Sequence, residues 1–477
     1  MNSLPEMRVP EKRLPGNRRR HAGAVTCLLA ALALGACQSS SSPPAGGPSG
    51  APPERIVTPL PGAETAPVPP APAAVVPAPG QEPVVISGAT VDIPAAMTDG
   101  KVRVAALLPL SGGGRDVGRS LLDGAMLALN ELADSNFVLL PFDTKGTDQG
   151  AAAAIRDAID SRAELVIGPL FSASVAAAAP VARAAGINMI AFSNNRIVAE
   201  PGVFLAGLLP ETQIEHVLRY AATRGIRRVG ALLPAGAFGD RVDAALRGAA
   251  AAYGLEVVRV EVFGDDPAQT ARAVRSISDY DRRQRDLKAQ IAALKGATDQ
   301  VSRRTLARLE RLETFGPLPF EALVVAASGA KLTEVAAQLG NFDVDTKTVR
   351  LLGLASWSAP GTGREPSLVG AWYADAPAAA SADFLRNFRA MYERDPHPLA
   401  VDAYDVTALA AILASARGAD RYAAATLTDG SGFAGAGGLF RFLPGGLPER
   451  ALEVREITPD GSKLVEPAAK SFAVGTN

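Results

Sequence analysis

The sequence predicts an α/β fold made of two doubly wound parallel-sheet lobes. From Lys101 onward, short β-rich apolar runs alternate with amphipathic, alanine-rich helical stretches. That alternation is typical of βαβ units and parallel sheets. Residues 101–467 are also too many for one comfortable core, so two lobes with a cleft between them are expected.

The apolar runs fall into two sets of four. The first set comprises Val102–Leu110, Phe137–Phe142, Leu165–Leu170 and Ile187–Phe192. Helical stretches such as Arg119–Leu132 and Ala151–Ser161 separate these runs. The second set comprises Arg228–Leu233, Glu256–Val262, Leu323–Ala327 and Val349–Leu354. Each set is sufficient for one doubly wound sheet.

The start of the chain has the pattern of a secretory signal. Basic residues up to Arg20 precede an apolar run, Ala22–Leu34, that is too short for a membrane span. The following Leu34-Gly35-Ala36-Cys37 resembles the lipobox of bacterial lipoproteins, which predicts a signal peptide over 1–36 and lipid on Cys37. The alternative is a buried cysteine at the end of an apolar helix. Gln38 resembles the pattern of lipoproteins sent to the periplasmic face of the outer membrane.

Residues 37–100 are rich in proline, alanine and serine without apolar periodicity, so they predict a disordered tether. The tether either presents the domain away from its membrane or is a passive spacer. The net charge of −1 gives no indication of a nucleic-acid partner, and the expected contact with the membrane is through the lipid anchor only.

Two segments of the first lobe carry a family resemblance. Leu107-Leu108-Pro109-Leu110-Ser111-Gly112 with the helix from Asp123, and Val166–Ser172 with Ala185–Ser193, resemble type I periplasmic binding proteins of the Leu/Ile/Val-binding kind. The resemblance implies three crossovers that form a hinge. The implied first lobe is 101–209 plus 379–429, the second is 210–378 plus 430–467, and 468–477 is a tail.

Three further segments resemble the penicillin-binding protein activators of alphaproteobacteria. They are the charged insertion Asp279–Glu313, Val369–Tyr373, and Asp429–Phe442. This resemblance implies a non-catalytic lipoprotein that binds a peptidoglycan synthase, a penicillin-binding protein, and regulates it. The alternative is a lipid-anchored solute receptor for an amino-acid transporter.

Open parallel sheets bind ligands beyond the carboxyl ends of their strands, where helices begin. The sequence places hydroxyl and amide groups there, which suit a small polar ligand. The candidate cleft residues of the first lobe are Ser111, Ser172, Ser174, Ser193 and Asn194, and those of the second are Phe238, Ser328 and Trp357. Helix capping explains the serines equally well. Amino-acid receptors of the superfamily also use an acidic residue of the second lobe, and Ala355-Ser356-Trp357-Ser358 has none after its strand.

The insertion over 279–317 predicts two antiparallel helices. Leu287, Ile291 and Leu294 mark one apolar stripe, and Leu306, Leu309 and Leu312 mark another. The other positions carry many basic residues. They form either a solvated hairpin or a docking arm for a protein partner.

No pattern of residues supports catalysis or a cofactor. Gly112, Gly114 and Gly118 imitate a dinucleotide fingerprint with Asp143 on the next strand, but their spacing is one residue too long. His216 and His397 have no metal-ligand spacing. We therefore expect a protein that is not an enzyme and holds neither metal nor cofactor.

Overall fold

The computed structural model describes residues 100–415 and 420–472. The signal peptide 1–36, the lipidation site Cys37, the tether up to residue 99 and the last five residues of the predicted tail lie outside the described residues.

The first lobe contains a five-stranded parallel sheet of order β2-β1-β3-β4-β5. Its strands are β1 Val102–Leu108, β2 Phe137–Asp143, β3 Leu165–Ile167, β4 Asn188–Ala191 and β5 Val203–Leu205. Its helices are α1 Arg115–Leu132, α2 Asp148–Asp160, α3 Ser172–Ala184, α10 Ala382–Tyr392, α11 Ala400–Ala414 and α12 Ala424–Leu427.

Strand β1 shows why this sheet is buried on both faces. Val104 and Leu108 pack against α1 and α11, whereas Ala105 and Leu107 point to the opposite face, toward α2 and α3. Because side chains alternate along a strand, a continuous apolar run is what a sheet covered on both faces requires.

The second lobe contains a seven-stranded sheet of order β15-β14-β10-β9-β8-β6-β7. Its strands are β6 Arg228–Pro234, β7 Glu256–Phe263, β8 Ala322–Val325, β9 Arg350–Gly353, β10 Trp372–Asp375, β14 Glu453–Thr458 and β15 Gly461–Glu466. Strands β14 and β15 are antiparallel to their neighbours, and the other five are parallel. Helices cover both faces: α4 Pro210–Thr223 and α5 Ala237–Tyr253 on one, α6 Pro267–Ile277 and α9 Gly329–Asn341 on the other.

The predicted α/β class with parallel-sheet lobes is therefore confirmed. The eight strands of the two sequence sets are present, and the structure adds β5, β10 and the late β-strands, which the apolar runs did not reveal. Short strands such as β5, with three residues, are too brief for a periodic signal.

The chain crosses between the lobes three times, after β5, after β10 and after the short strand β13, Pro448–Arg450. The third crossing differs from the expected one. Strands β11 Phe433–Gly435, β12 Gly438–Phe442 and β13 Pro448–Arg450 form a small antiparallel sheet.

Residues 430–450 accompany the first lobe, not the second as expected from the resemblance. Phe440 and Phe442 are buried in the first lobe's core, and the Phe442 ring lies 5.5 Å from that of Phe204. Only the part from Glu453 onward joins the second sheet. The physical reason for this placement is that alternate residues of β12, including two aromatic ones, are buried. The segment 430–450 therefore covers the edge of the first sheet beside β5, where the Leu205 N–H donates to the Gly446 carbonyl oxygen.

The insertion forms two helices, α7 Tyr280–Leu294 and α8 Gln300–Leu309. Leu287 and Leu309 are buried, and Ile291, Leu294 and Leu306 are half-buried. The predicted contribution of Leu312 is wrong, because α8 ends before it and its side chain is 45% exposed.

Candidate ligand cleft

The predicted hydroxyl groups of the first lobe follow three neighbouring strands. Strands β1, β3 and β4 lie side by side, so Ser111, Ser172 and Ser193 follow the same carboxyl edge of the sheet. Ser172 begins α3 and is half-buried. Parallel strands end at one edge, which is why the sequence could place these residues together.

Ser111 is held by an acidic neighbour. Its hydroxyl donates to Asp143 Oδ2 at 2.5 Å, and Asp143 Oδ1 accepts from the backbone N–H groups of Leu110, Ser111 and Lys145. Desolvation alone would raise the pKa of the Asp143 carboxyl, but these hydrogen bonds together lower it. Asp143 is therefore an ionised anchor for the loop after β1.

Close backbone packing explains two glycines, Gly112 in that loop and Gly118 near the start of α1. A Cβ on Gly112 would lie 2.4 Å from the Lys145 carbonyl oxygen, and one on Gly118 would lie 2.1 Å from that of Pro109. Gly112 also has a φ of 67°, which favours glycine. Beside this loop, at the start of α1, an open cavity of about 530 Å³ is lined by Gly112, Gly114, Arg115, Asp116 and Val117.

Two other predicted hydroxyl groups are engaged inside the protein. Ser174 is 1% exposed and its Oγ donates to the Thr147 carbonyl oxygen at 3.4 Å. Ser193 is buried and its Oγ accepts from the Asn195 N–H at 3.1 Å. The Ser193 hydroxyl accepts from a backbone N–H, as a capping group does, whereas the Ser174 hydroxyl donates to a backbone carbonyl oxygen and therefore does not act as a helix cap.

Arg241, on the first turns of α5, connects the two lobes directly. Its Nη1 donates to the Asn194 carbonyl oxygen and to Asn195 Oδ1, both at 3.1 Å. The guanidinium lies 5.9 Å from the centre of the Phe238 ring, so Phe238 is beside this bridge. Sequence reasoning missed Arg241. Its position seven residues after the end of β6, where a helix begins at the cleft edge, is the signal that could have found it.

Ser328 and Trp357, the other two candidate residues of the second lobe, are not part of the Arg241 bridge. Ser328 is exposed and precedes α9 without a side-chain cap. The prediction that Trp357 lines the cleft is corrected by its burial. Its side chain is only 1% exposed, and its Nε1 donates to the Ala327 carbonyl oxygen at 2.9 Å. The indole fills the second lobe's core below Gly353, where a Cβ would lie 2.2 Å from the ring. Trp357 therefore supports the cleft wall and does not line it.

A second residue that sequence reasoning missed, the carboxylate Asp375, lies at the end of β10. Asp375 accepts from the Ala376 N–H at 2.8 Å, and Ser358 hydrogen bonds to its side chain. Desolvation raises the pKa of Asp375 to about 6. The segment 355–358 after β9 does lack an acidic residue, as the sequence indicates. The neighbouring strand β10 supplies Asp375 beside that segment.

The third crossing is fixed by a buried ion pair. Arg450 Nη2 donates to Asp402 Oδ1 and to the Ala206 carbonyl oxygen, both at 2.7 Å. Nearby Asp405 accepts from the N–H groups of Ala436 and Gly437. Desolvation raises the pKa of Asp402 and raises that of Asp405 to about 6, although Arg450 opposes both shifts.

Within residues 100–415 and 420–472, no group of three or more His, Cys, Asp or Glu side chains is placed to hold a metal ion. In the same described part of the chain, no helix combines the length and apolarity needed to cross a membrane.

Two doubly wound lobes joined by three crossings, with polar groups at facing sheet edges, define a two-lobed binding protein of type I. The periplasmic binding protein family model matches residues 101–462, and the chain belongs to that family. Family members are binding proteins, not enzymes.

Solved structures support the fold. A leucine-binding protein of Thermotoga maritima is 17% identical, with a TM-score of 0.52 over 77% of this chain and 98% of its own. A putative branched-chain amino-acid transporter protein of Rhodospirillum rubrum is 16% identical, with a TM-score of 0.60 over 76% and 100%. A benzoate complex of a solute-binding protein from R. palustris is 18% identical, with a TM-score of 0.51 over 79% and 99%.

Among curated proteins, an uncharacterised protein of Rickettsia prowazekii is 27% identical over 179 residues. The match covers 37% of this chain and 47% of that protein, so it spans about half of the relative's length.

Proposed function

We propose that this chain is a lipoprotein, lipidated at Cys37 and held at the periplasmic face of the outer membrane, that binds a penicillin-binding protein and activates peptidoglycan synthesis. The proposal unites the lipobox, the proline-rich tether and the resemblance of three segments to penicillin-binding protein activators. On this proposal the two-lobed domain is a docking body without catalytic residues.

The observation that carries the proposal is the Arg241 bridge. In a solute receptor, polar groups at the carboxyl edges face a ligand. Here Asn194 and Asn195 accept from Arg241 of the opposite lobe, and the hydroxyl groups of Ser111 and Ser193 already have protein partners. Polar groups of the cleft edge that are hydrogen-bonded to one another within the protein support a role in protein binding.

The test uses the full chain and the bifunctional peptidoglycan synthase of the same organism. Glycan polymerisation and peptide cross-linking by the synthase are measured with and without the protein, with a heat-unfolded sample of the chain as the control. We expect direct binding and a faster synthase. Absence of binding together with an unchanged rate would rule out the proposal.

A second candidate, a lipid-anchored amino-acid receptor, is favoured by Asp375. This carboxylate lies at the sheet edge beside residues 355–358, where amino-acid receptors of the superfamily place an acid for the ammonium group. Ligands that bind only the folded state stabilise it by about 2.7 kcal/mol at a concentration of roughly 100 Kd. A thermal-shift screen with amino acids, amides and muropeptides tests this candidate. If a free amino acid raises Tm, the receptor function becomes the favoured one and the activator function the second candidate.

A further inference from the structure

The helical hairpin of α7, α8 and their connection carries an excess of positive charge. Between Tyr280 and Leu312 the sequence has nine basic and four acidic residues, a net charge of +5, whereas the whole chain has −1. The excess is therefore local. A solvated surface helix needs no such imbalance, because mixed charges suffice for solubility.

Most of the acidic groups of the hairpin are already engaged. Asp281 pairs with Arg275 of α6 at 2.6 Å, Asp286 pairs with Arg282 at 3.3 Å, and Asp299 caps α8 by accepting from the Ser302 N–H. These acids are consequently not available to neutralise the other cations of the hairpin.

Seven hairpin cations form no salt bridge among the described residues. They are Arg285, Lys288, Lys295, Arg303, Arg304, Arg308 and Arg311, and all are exposed. Arg304, Arg308 and Arg311 recur at helical spacing, which places them along one side of α8 and its extension.

The base of the hairpin is fixed to the body, so these cations have a defined position. Arg283 is 6% exposed and donates to the Gly316 and Asp343 carbonyl oxygens and to Asp343 Oδ2. Thr314 hydrogen bonds to the same Asp343 carboxylate, and the Tyr280 ring packs edge-on against Phe342 at 5.4 Å. A cationic surface on a fixed base loses little backbone conformational entropy when a partner binds.

We propose that this cationic hairpin surface, defined by the seven exposed basic residues that form no salt bridge, docks onto a carboxylate-rich surface of a protein partner. The inference rests on the proposed function, in which that partner is the peptidoglycan synthase. Five of the seven cations are arginines, whose planar guanidinium matches carboxylates in two-point contacts.

An anionic membrane fits the surface less well. Helices that lie on bilayers present a continuous apolar face. In this hairpin Leu287 and Leu309 are instead buried within the protein, and the exposed apolar residues Val301 and Leu312 lie near opposite ends of α8 and form no continuous face. Asp286 and Glu310 are also interspersed among the cations and would be repelled by a uniformly anionic surface, whereas a protein surface can match mixed charges.

The experiment measures binding of the full chain to the full-length synthase in detergent. Arg304→Glu/Arg308→Glu reverses two hairpin charges, and Arg156→Glu/Lys347→Glu reverses two exposed cations elsewhere. At 0.15 M salt we expect the hairpin variant to bind roughly 10-fold more weakly or worse, and the control within about twofold of the parent. Binding by the parent should weaken as salt is raised, because screening shortens the range of charge interactions.

Circular dichroism melting of each variant checks that the fold is retained. An Asp→Arg or Glu→Arg change on the synthase that restores binding of the hairpin variant would be a second confirmation. Unchanged binding by the folded hairpin variant would overturn the docking surface and leave the proposed function standing. Failure of the parent to bind would overturn the proposed function itself. Hairpin-dependent sedimentation with phosphatidylglycerol vesicles, in place of synthase binding, would also overturn the inference.

Discussion

Replacing Arg450 by methionine should destabilise the domain through the carboxylates that remain. Arg450 and Asp402 are 5% and 8% exposed, and Arg450 also bonds to the Ala206 carbonyl oxygen at the first crossing. Methionine retains much of the volume but none of the charge. Asp402 would then be a buried carboxylate without a counter-ion, with Asp405 close to it.

Removing one member of a buried ion pair costs about 3–5 kcal/mol. If residues 100–472 unfold together, about 2.1 cal/mol/K per residue gives an unfolding entropy of roughly 0.8 kcal/mol/K, so Tm should fall by about 4–6 °C. The double variant Asp402→Asn/Arg450→Met removes both charges and should recover a large part of this loss, because no uncompensated carboxylate remains at 402.

The assay is thermal melting of the full chain by circular dichroism at pH 8 and pH 5. The pKa of Asp405 is raised to about 6, and that of Asp402 is also raised. At these two carboxylates the folded state binds protons more tightly than the unfolded chain, so their contribution to stability rises as pH falls through about 6. Removal of Arg450 raises both pKa values further, so its cost should be smaller at pH 5 than at pH 8. A Tm change below about 1 °C at pH 8, or a double variant no better than the single one, would refute the reasoning.

Three further predictions concern the cleft and its walls. Gly118→Ala should lower the free energy of unfolding by about 2 kcal/mol or more, because its Cβ would lie 2.1 Å from the Pro109 carbonyl oxygen. The control Gly113→Ala, whose Cβ would have nothing within 4 Å, should change the free energy of unfolding by less than about 0.5 kcal/mol. Equal Tm values for the two variants would contradict this prediction. Trp357→Ala should cost about 3–5 kcal/mol in the same melting assay, because it empties a fully buried site, and Ser328→Ala is the exposed control. Arg241→Ala removes two hydrogen bonds to the other lobe and should increase the radius of gyration measured by small-angle X-ray scattering. Arg247→Ala, on the same helix, is the control. Identical scattering curves for the Arg241 variant and the parent would exclude a bridging role.

Much of the candidate cleft could be read from strand ends. Ser111, Ser172 and Ser193 follow neighbouring strands because parallel strands share one carboxyl edge. The sequence could not show that Ser111 is bonded to Asp143, 32 residues away, or that Trp357 turns into the core. Both outcomes depend on side-chain direction and on long-range neighbours, which have no periodic signal.

The lobe assignment failed at the third crossing for a related reason. The segment 430–450 is short, glycine-rich and antiparallel, so its place is decided by where Phe440 and Phe442 find an apolar cavity. Arg241 was missed because its acceptors, Asn194 and Asn195, belong to the other lobe.

The sequence by itself determined the α/β class, the two lobes and the helical insertion, because apolar periodicity records which faces of a local element are buried. Only the tertiary structure decided that Arg241 bridges the lobes and that Arg450 neutralises a buried acid at the hinge. It also decided that, among the described residues, Arg282 and Arg283 of the hairpin form ion pairs whereas seven other hairpin cations form none. Hydrogen bonds and ion pairs join residues distant in the chain, and their geometry exists only after the lobes have packed.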